Sequence, residues 1–243
     1  MTTNDTSSHE TNPRSIARIA GLFYLLTGGT AFAFFTRGKL FTGADAANIV
    51  SNILVHESLY RSAVVADLFG TACYLVVVTL LYRLFKPVNA SVSLLAAFCG
   101  LLGCAVQAGA CCFDLAALTT ARALSNPASV SSDQLYAAVQ LLIRLHAQSF
   151  NLAILFFGFY CFFIGCLALR ATFLPRVVGA LMAVAGFAYI VNEVASFLSL
   201  PLAGYLSSYA TILGGVGELS LLLWLLIFGV NAQRWREQAH RDI

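Results

Sequence analysis

Apolar positions along this chain come in long unbroken runs rather than in the alternating patterns of half-buried strands. Six stretches, roughly 16–36, 62–85, 91–118, 147–169, 173–199 and 206–230, consist almost wholly of apolar, aromatic and small residues. About 20 such residues are needed for a helix to cross the hydrocarbon core of a bilayer, and each run is long enough. The pattern predicts an all-α polytopic membrane protein with six transmembrane helices in one bundle. Turn clusters and prolines separate the runs: "KPVN" at 86–89, "RATFLPR" at 170–176 and "SLPLAGY" at 199–205. The connections are too short for a soluble domain. The expected organisation is a polar tail over 1–14, the bundle over 15–231 and a basic tail over 232–243.

Two connecting segments carry helical patterns of their own. Residues 42–61 place Ile49, Val50, Ile53 and Leu54 on one face, with Glu57 and Arg61 four apart. Residues 131–146 open with a capping-box pattern, Ser131 to Gln134, followed by Leu135, Val139 and Leu142 on one side. Both are expected as short helices on the outer face, lying in the interface or covering the bundle. The "AFA" at 31–33, preceded by Arg14 and Arg18, resembles a signal-peptide cleavage site. With five further spans behind it, a retained first helix is the expectation.

Composition sharpens this picture. Of 243 residues, 59% are hydrophobic and 10% charged, against roughly 25% charged in soluble domains; the mean hydropathy is +0.82. A net charge of +3, scattered beside the spans, excludes nucleic acid as a partner and leaves the lipid bilayer. Nine Lys and Arg (Arg14, Arg18, Arg83, Lys86, Arg170, Arg176, Arg234, Arg236, Arg241) fall on one side of the six-span topology and five (Arg37, Lys39, Arg61, Arg122, Arg144) on the other. The excess predicts an inner (plasma) membrane location with both termini cytoplasmic. The tail at 233–243 is expected as a solvated basic end with Trp235 at the interface. All seven cysteines (Cys73, Cys99, Cys104, Cys111, Cys112, Cys161, Cys166) lie inside apolar runs and are expected as small packing residues, not a disulfide framework.

Polar residues within the spans carry the functional signal. They sit in rows at helical spacing: Asp67, Gly70, Thr71, Tyr74; Gly100, Cys104, Gln107, Cys111, Asp114; Gly186, Tyr189, Glu193, Ser196; and Ser208, Thr211, Gly215, Glu218. His146, Gln148 and Asn151 open the fourth span, and Asn192 adjoins Glu193. Four of the eleven acids lie within the runs, and no Lys or Arg lies in any span interior, Arg18, Arg83 and Arg176 falling only at run ends; Arg144 and His146 at the outer rim are the nearest basic candidates. Intramembrane acids are costly and face the bundle interior or water. The expectation is an outward-facing acidic pocket whose carboxylates hold protons, share them, meet water and amides, or bind a cation. The candidate ligand- or proton-binding residues are Asp67, Gln107, Asp114, His146, Asn151, Asn192, Glu193 and Glu218.

Several segments together, "RIAGLFYLL" (18–26), "VADLF" (65–69), "LH" (145–146), 156–190 with "FLPRVVGALMAVAGFAYI", and "GGVGELSLLLWLLIFGVN" (214–231), resemble the bacterial membrane proteins grouped as domain of unknown function 4386. The likeness runs over about 15–231. It implies a multi-span architecture and no established activity, so it assigns no catalytic residue. Asp67, His146 and Glu218 match recurrent polar positions of that family. An internal echo, Arg18-x-x-Gly21 with Gly28 against Arg176-x-x-Gly179 with Gly186, follows from close packing alone.

Three function classes remain open from the residues. The leading one is small-ligand or proton-linked binding or transport, with a small molecule or cation as partner. An intramembrane metal-dependent enzyme is the second, although no HxxxH, HExxH or GxSxG motif is present; neither catalytic nor metal-ligating residues nor a cofactor are expected. The third is an accessory protein whose polar residues only fix helix packing. The oligomeric state is not legible.

Overall fold

The computed structural model describes residues 12–41, 45–124, 131–201 and 203–240. Nine helices run through them: α1 (Pro13–Leu26), α2 (Gly28–Leu40), α3 (Ala46–Val55), α4 (Glu57–Phe85), α5 (Ala90–Ala123), α6 (Ser132–Arg170), α7 (Arg176–Phe197), α8 (Ala203–Ile227) and α9 (Ala232–Ala239). Six stretches are long and apolar enough to cross a membrane, the first of them α1 and α2 together. The protein is an all-α, multi-pass membrane bundle.

Helix starts fall where side chains accept from free backbone N–H groups or where a proline removes one. Asn12 caps α1, accepting from Arg14 N at 3.1 Å, with Pro13 in the first helical position. Asn89 caps α5 (Val92 N, 2.9 Å) and Asn231 caps α9 (Arg234 N, 3.1 Å). Ser131 and Gln134 form the expected capping box of α6. Gly229, with φ 69°, ends α8 in the left-handed conformation open to glycine.

The spans close into a ring. α1 packs on α4, α4 on α5, α5 on α6, α6 on α7, α7 on α8, and α8 returns to α1. Small residues set the closest approaches, as expected where lipid supplies no hydrophobic drive between helices. A Cβ on Gly21 would lie 2.6 Å from Leu226 N, and one on Gly179 would lie 2.6 Å from Leu169 N. Gly186 and Gly165 meet the backbones of Phe162 and Ala183 in the same way. Tyr74, Tyr160, Leu81 and Leu225 belong to the main core, and Phe35, Val65, Val177 and Phe187 project outward. A second core, with Val50, Ile53, Leu118 and Val139, fills the end covered by α3.

Four expectations need correction. The first span does not stop at 36: it continues to Leu40 and is jointed at Thr27, whose hydroxyl donates to Tyr24 O at 2.6 Å ahead of the Gly28–Gly29 pair. Beyond the joint, α2 lies against α4, where a Cβ on Gly70 would meet Thr30 N at 2.8 Å. The helical segment expected over 42–61, of which 42–44 lie outside the described residues, breaks at His56, and only α3 stands alone as an outer helix. The second outer segment, 131–146, merges with the fourth span into one helix of 39 residues, about 58 Å long. Its capping box starts a helix that nothing then interrupts. Finally, the tail is not merely solvated. Trp235 Nε1 donates to Leu84 O at 2.8 Å, and Gln238 Oε1 accepts from Thr172 N at 3.0 Å, anchoring α9 to the bundle end.

Candidate functional site

Four helices build a buried ionic cluster beneath α3. Ala33, Thr36, Arg37 and Leu40 form the buried stripe of α2, which carries a guanidinium into the bundle. Arg37 is 6% exposed, and Asp67 (α4) and Asp114 (α5) are both 0% exposed. The Arg37 fork bridges them: Nη1 lies 2.8 Å from Asp67 Oδ2 and Nη2 lies 2.6 Å from Asp114 Oδ2. Planar guanidinium geometry suits such two-pronged pairing.

Each carboxylate has further donors. Gln107 Nε2 reaches Asp67 Oδ1 at 3.0 Å, with Cys111 Sγ 3.8 Å from Oδ2. Tyr60 OH donates to Asp114 at 3.1 Å. His146 (α6), buried, places Nδ1 3.2 Å from Asp114 Oδ2 and 3.1 Å from Ala110 O. Both neighbours of Nδ1 are acceptors, so Nδ1 carries the hydrogen and Nε2 is the nitrogen left to bind a proton. With neutral His146 the cluster of one arginine and two aspartates sums to one negative charge. A proton on Nε2 makes it neutral. Two polar atoms of the cluster, Arg37 Nε and Gln107 Oε1, are buried without a protein partner.

A second polar set lies along α1, α7 and α8. Tyr24 OH donates to Glu218 Oε2 at 3.1 Å, and Tyr189 OH donates to Oε1 at 3.0 Å. Tyr189 fits there because Gly214 leaves the space: a Cβ at that position would overlap its ring. Tyr74 stands edge-on to Tyr24, with ring centroids 5.6 Å apart. One turn from Tyr189 on α7, Asn192 Nδ2 donates to Glu193 Oε1 at 2.9 Å. Glu193 Oε2 and Asn192 Oδ1 are buried without a protein partner.

A family model described as Domain of unknown function (DUF4386) matches residues 19–229. The chain belongs to that family. No curated protein and no solved structure matches it. The DUF4386 match spans the whole ionic cluster and the Glu218 set, and leaves out α9 and Arg14.

The eight candidate residues of this DUF4386 chain therefore divide. Asp67, Gln107, Asp114 and His146 come together around Arg37. Glu218 belongs to the tyrosine set, Asn192 and Glu193 pair on α7, and Asn151 sits half-buried on α6. The premise that the acids lack a cation is corrected for Asp67 and Asp114: Arg37, assigned to the outer side with the charges beyond the first span, pairs with both. Arg144 is not the partner. The missed signal was the spacing of Ala33, Thr36, Arg37 and Leu40, three, one and three residues apart, which continues one helical face past the end of the apolar run. Tyr60, Tyr24 and Tyr189 were also missed as hydroxyl donors. Among the described residues no group of three or more His, Cys, Asp or Glu is arranged to hold a metal ion.

Proposed function

We propose that this protein is a proton-linked membrane binding or transport protein, with the Arg37–Asp67–Asp114–His146 cluster as its proton-responsive element. One observation carries the reading: a buried cluster with one cation and two anions has a histidine on the shared carboxylate oxygen, and a single proton on that histidine balances its charge. Unbalanced charge is expensive in a low-dielectric bundle, so the arrangement of α2 against α4, α5 and α6 is coupled to that proton. Glu218, held by two tyrosine hydroxyls, and Glu193, beside Asn192, have no cation in contact among the described residues and are the acids that would act as counter-charge to a small cationic ligand or as a second proton site. Orientation supports an outer location for the cluster. With Arg37 inside the bundle, the α3 end keeps Lys39, Arg61, Arg122 and Arg144 against eight Lys and Arg among the described residues of the other end, an excess that supports both termini in the cytoplasm.

The test is proton movement in liposomes that hold the purified protein and a trapped pH dye, under an imposed potential. The expected result is a proton signal that falls at least about tenfold in H146Q and D114N, as loss of an acid–base group does, and that survives E57Q at the exposed rim. Equal signals from wild type, H146Q and D114N, with only the melting temperature changed, would reduce the cluster to a packing device.

A further inference from the structure

At the end of the bundle opposite α3, α1, the 172–175 turn, α8 and α9 line an open cavity of about 570 Å³. Arg14 and Arg234 line it, together with Asn231, Trp224 and Phe228. A second cavity of about 610 Å³ adjoins it across Thr172, Leu174 and Arg234, and adds Arg170 and Arg176. Among the described residues no aspartate or glutamate lines either one. Arg14 belongs to the first, Arg170 and Arg176 to the second, and Arg234 to both, so the two adjoining hollows share one arginine and present four in all. α7 begins in the same wall with no side-chain cap, so the positive end of its dipole adds to theirs. The floor is apolar, and Trp224 and Phe228 belong to the last turn of a span and the residue after it. α9 forms the other wall, held by Trp235 on Leu84 O and by Arg234 Nη1 on Thr172 O at 3.4 Å.

We propose that this arginine-lined pair of cavities is a phosphate site, and that its occupant is the headgroup of an anionic phospholipid. The chemistry required is an oxyanion for several guanidinium groups joined to an apolar chain beside Trp224 and Phe228. Basic pockets between helices at a membrane boundary take acidic headgroups for this reason. A free phosphate ester shares the anion but makes no use of the aromatic floor. The site lies apart from the Arg37 cluster, so it stands or falls independently of the proton-linked reading.

The chain has two tryptophans, Trp224 and Trp235, and both report on this end. The experiment compares quenching of their fluorescence by brominated phosphatidylglycerol and by brominated phosphatidylcholine in otherwise matched vesicles. Expected is preferential quenching by the acidic lipid, with affinity reduced about fivefold for each arginine removed in R14Q and R234Q. R14K/R234K keeps most of the preference, and R61Q/R122Q at the opposite end keeps all of it. Circular dichroism and gel filtration confirm that each variant is folded. In a second arm, glycerol phosphate is added to phosphatidylcholine vesicles. Arginine-dependent protection there, with no preference between the lipids, retains the phosphate site and removes the lipid as its source. Identical behaviour of wild type and R14Q/R234Q in both arms overturns the proposal.

Discussion

Replacing Arg37 by methionine keeps the length and apolar stem of the side chain and removes the charge that holds Asp67 and Asp114 together. Both carboxylates are fully buried, and each loses its shortest contact, 2.8 Å and 2.6 Å respectively. Breaking a buried ion pair from one side costs about 3–5 kcal/mol, because a charge is left uncompensated. For a chain of this size that corresponds to a melting temperature lower by roughly 6–20 °C. Gln107, Tyr60 and His146 still donate to the two aspartates, which places the loss toward the lower half of that range. The assay is thermal unfolding of the purified protein in one detergent. The triple variant R37M/D67N/D114N removes both anions as well, and replacement of a whole buried ionic group is often neutral or stabilising, so it recovers most of the lost melting temperature. If R37M melts with the wild type, or the triple variant is no more stable than R37M, the cluster does not hold the charges inferred from its geometry.

Glycine substitutions separate close packing from open positions: G186A drives a Cβ into the Phe162 backbone and costs about 1–3 kcal/mol, whereas G28A, with nothing within 4 Å, leaves the melting temperature within about 1 °C or raises it. Removing the hydroxyls on Glu218 in Y24F/Y189F lowers stability by about 0.5–1.5 kcal/mol for each hydrogen bond, and E218Q reduces that penalty in a double-mutant cycle. A fluorescent-protein fusion at the C-terminus should mature in the cytoplasm and an alkaline phosphatase fusion there should be inactive; the reverse pair of results would invert the orientation.

The spans were legible because about 20 consecutive apolar residues have few other fates. Their lengths were less so. Arg144, His146 and Gln148 interrupt the apolar run of α6, and hydropathy reads that as a boundary, yet helical hydrogen bonding passes through it. The same habit misplaced Arg37. A charged residue at the end of a hydrophobic stretch is ordinarily at the water boundary, and only the periodicity of its neighbours shows that it points inward. Gln107 and Asp114 fall in one helical row and Asp67 in the row of another span, since residues three, four and seven apart share a face whatever packs on it. Which acids met which partners depended on the joint at Thr27 and on the ring order of the helices, neither of which a single chain's spacing contains. α9 was missed because its polar composition outweighs the one indole that pins it.

The joint at Thr27 makes α2 a lever. Arg37 lies ten residues beyond it, about 15 Å along the helix, while α1 is locked at Gly21 against the backbone of α8. A swing of only about 10° about that pivot would carry the guanidinium roughly 2.6 Å over this arm, enough to part it from both aspartates at once, so the close seat of Gly29 and Thr30 on α4 just past the joint is what keeps both ion pairs in register.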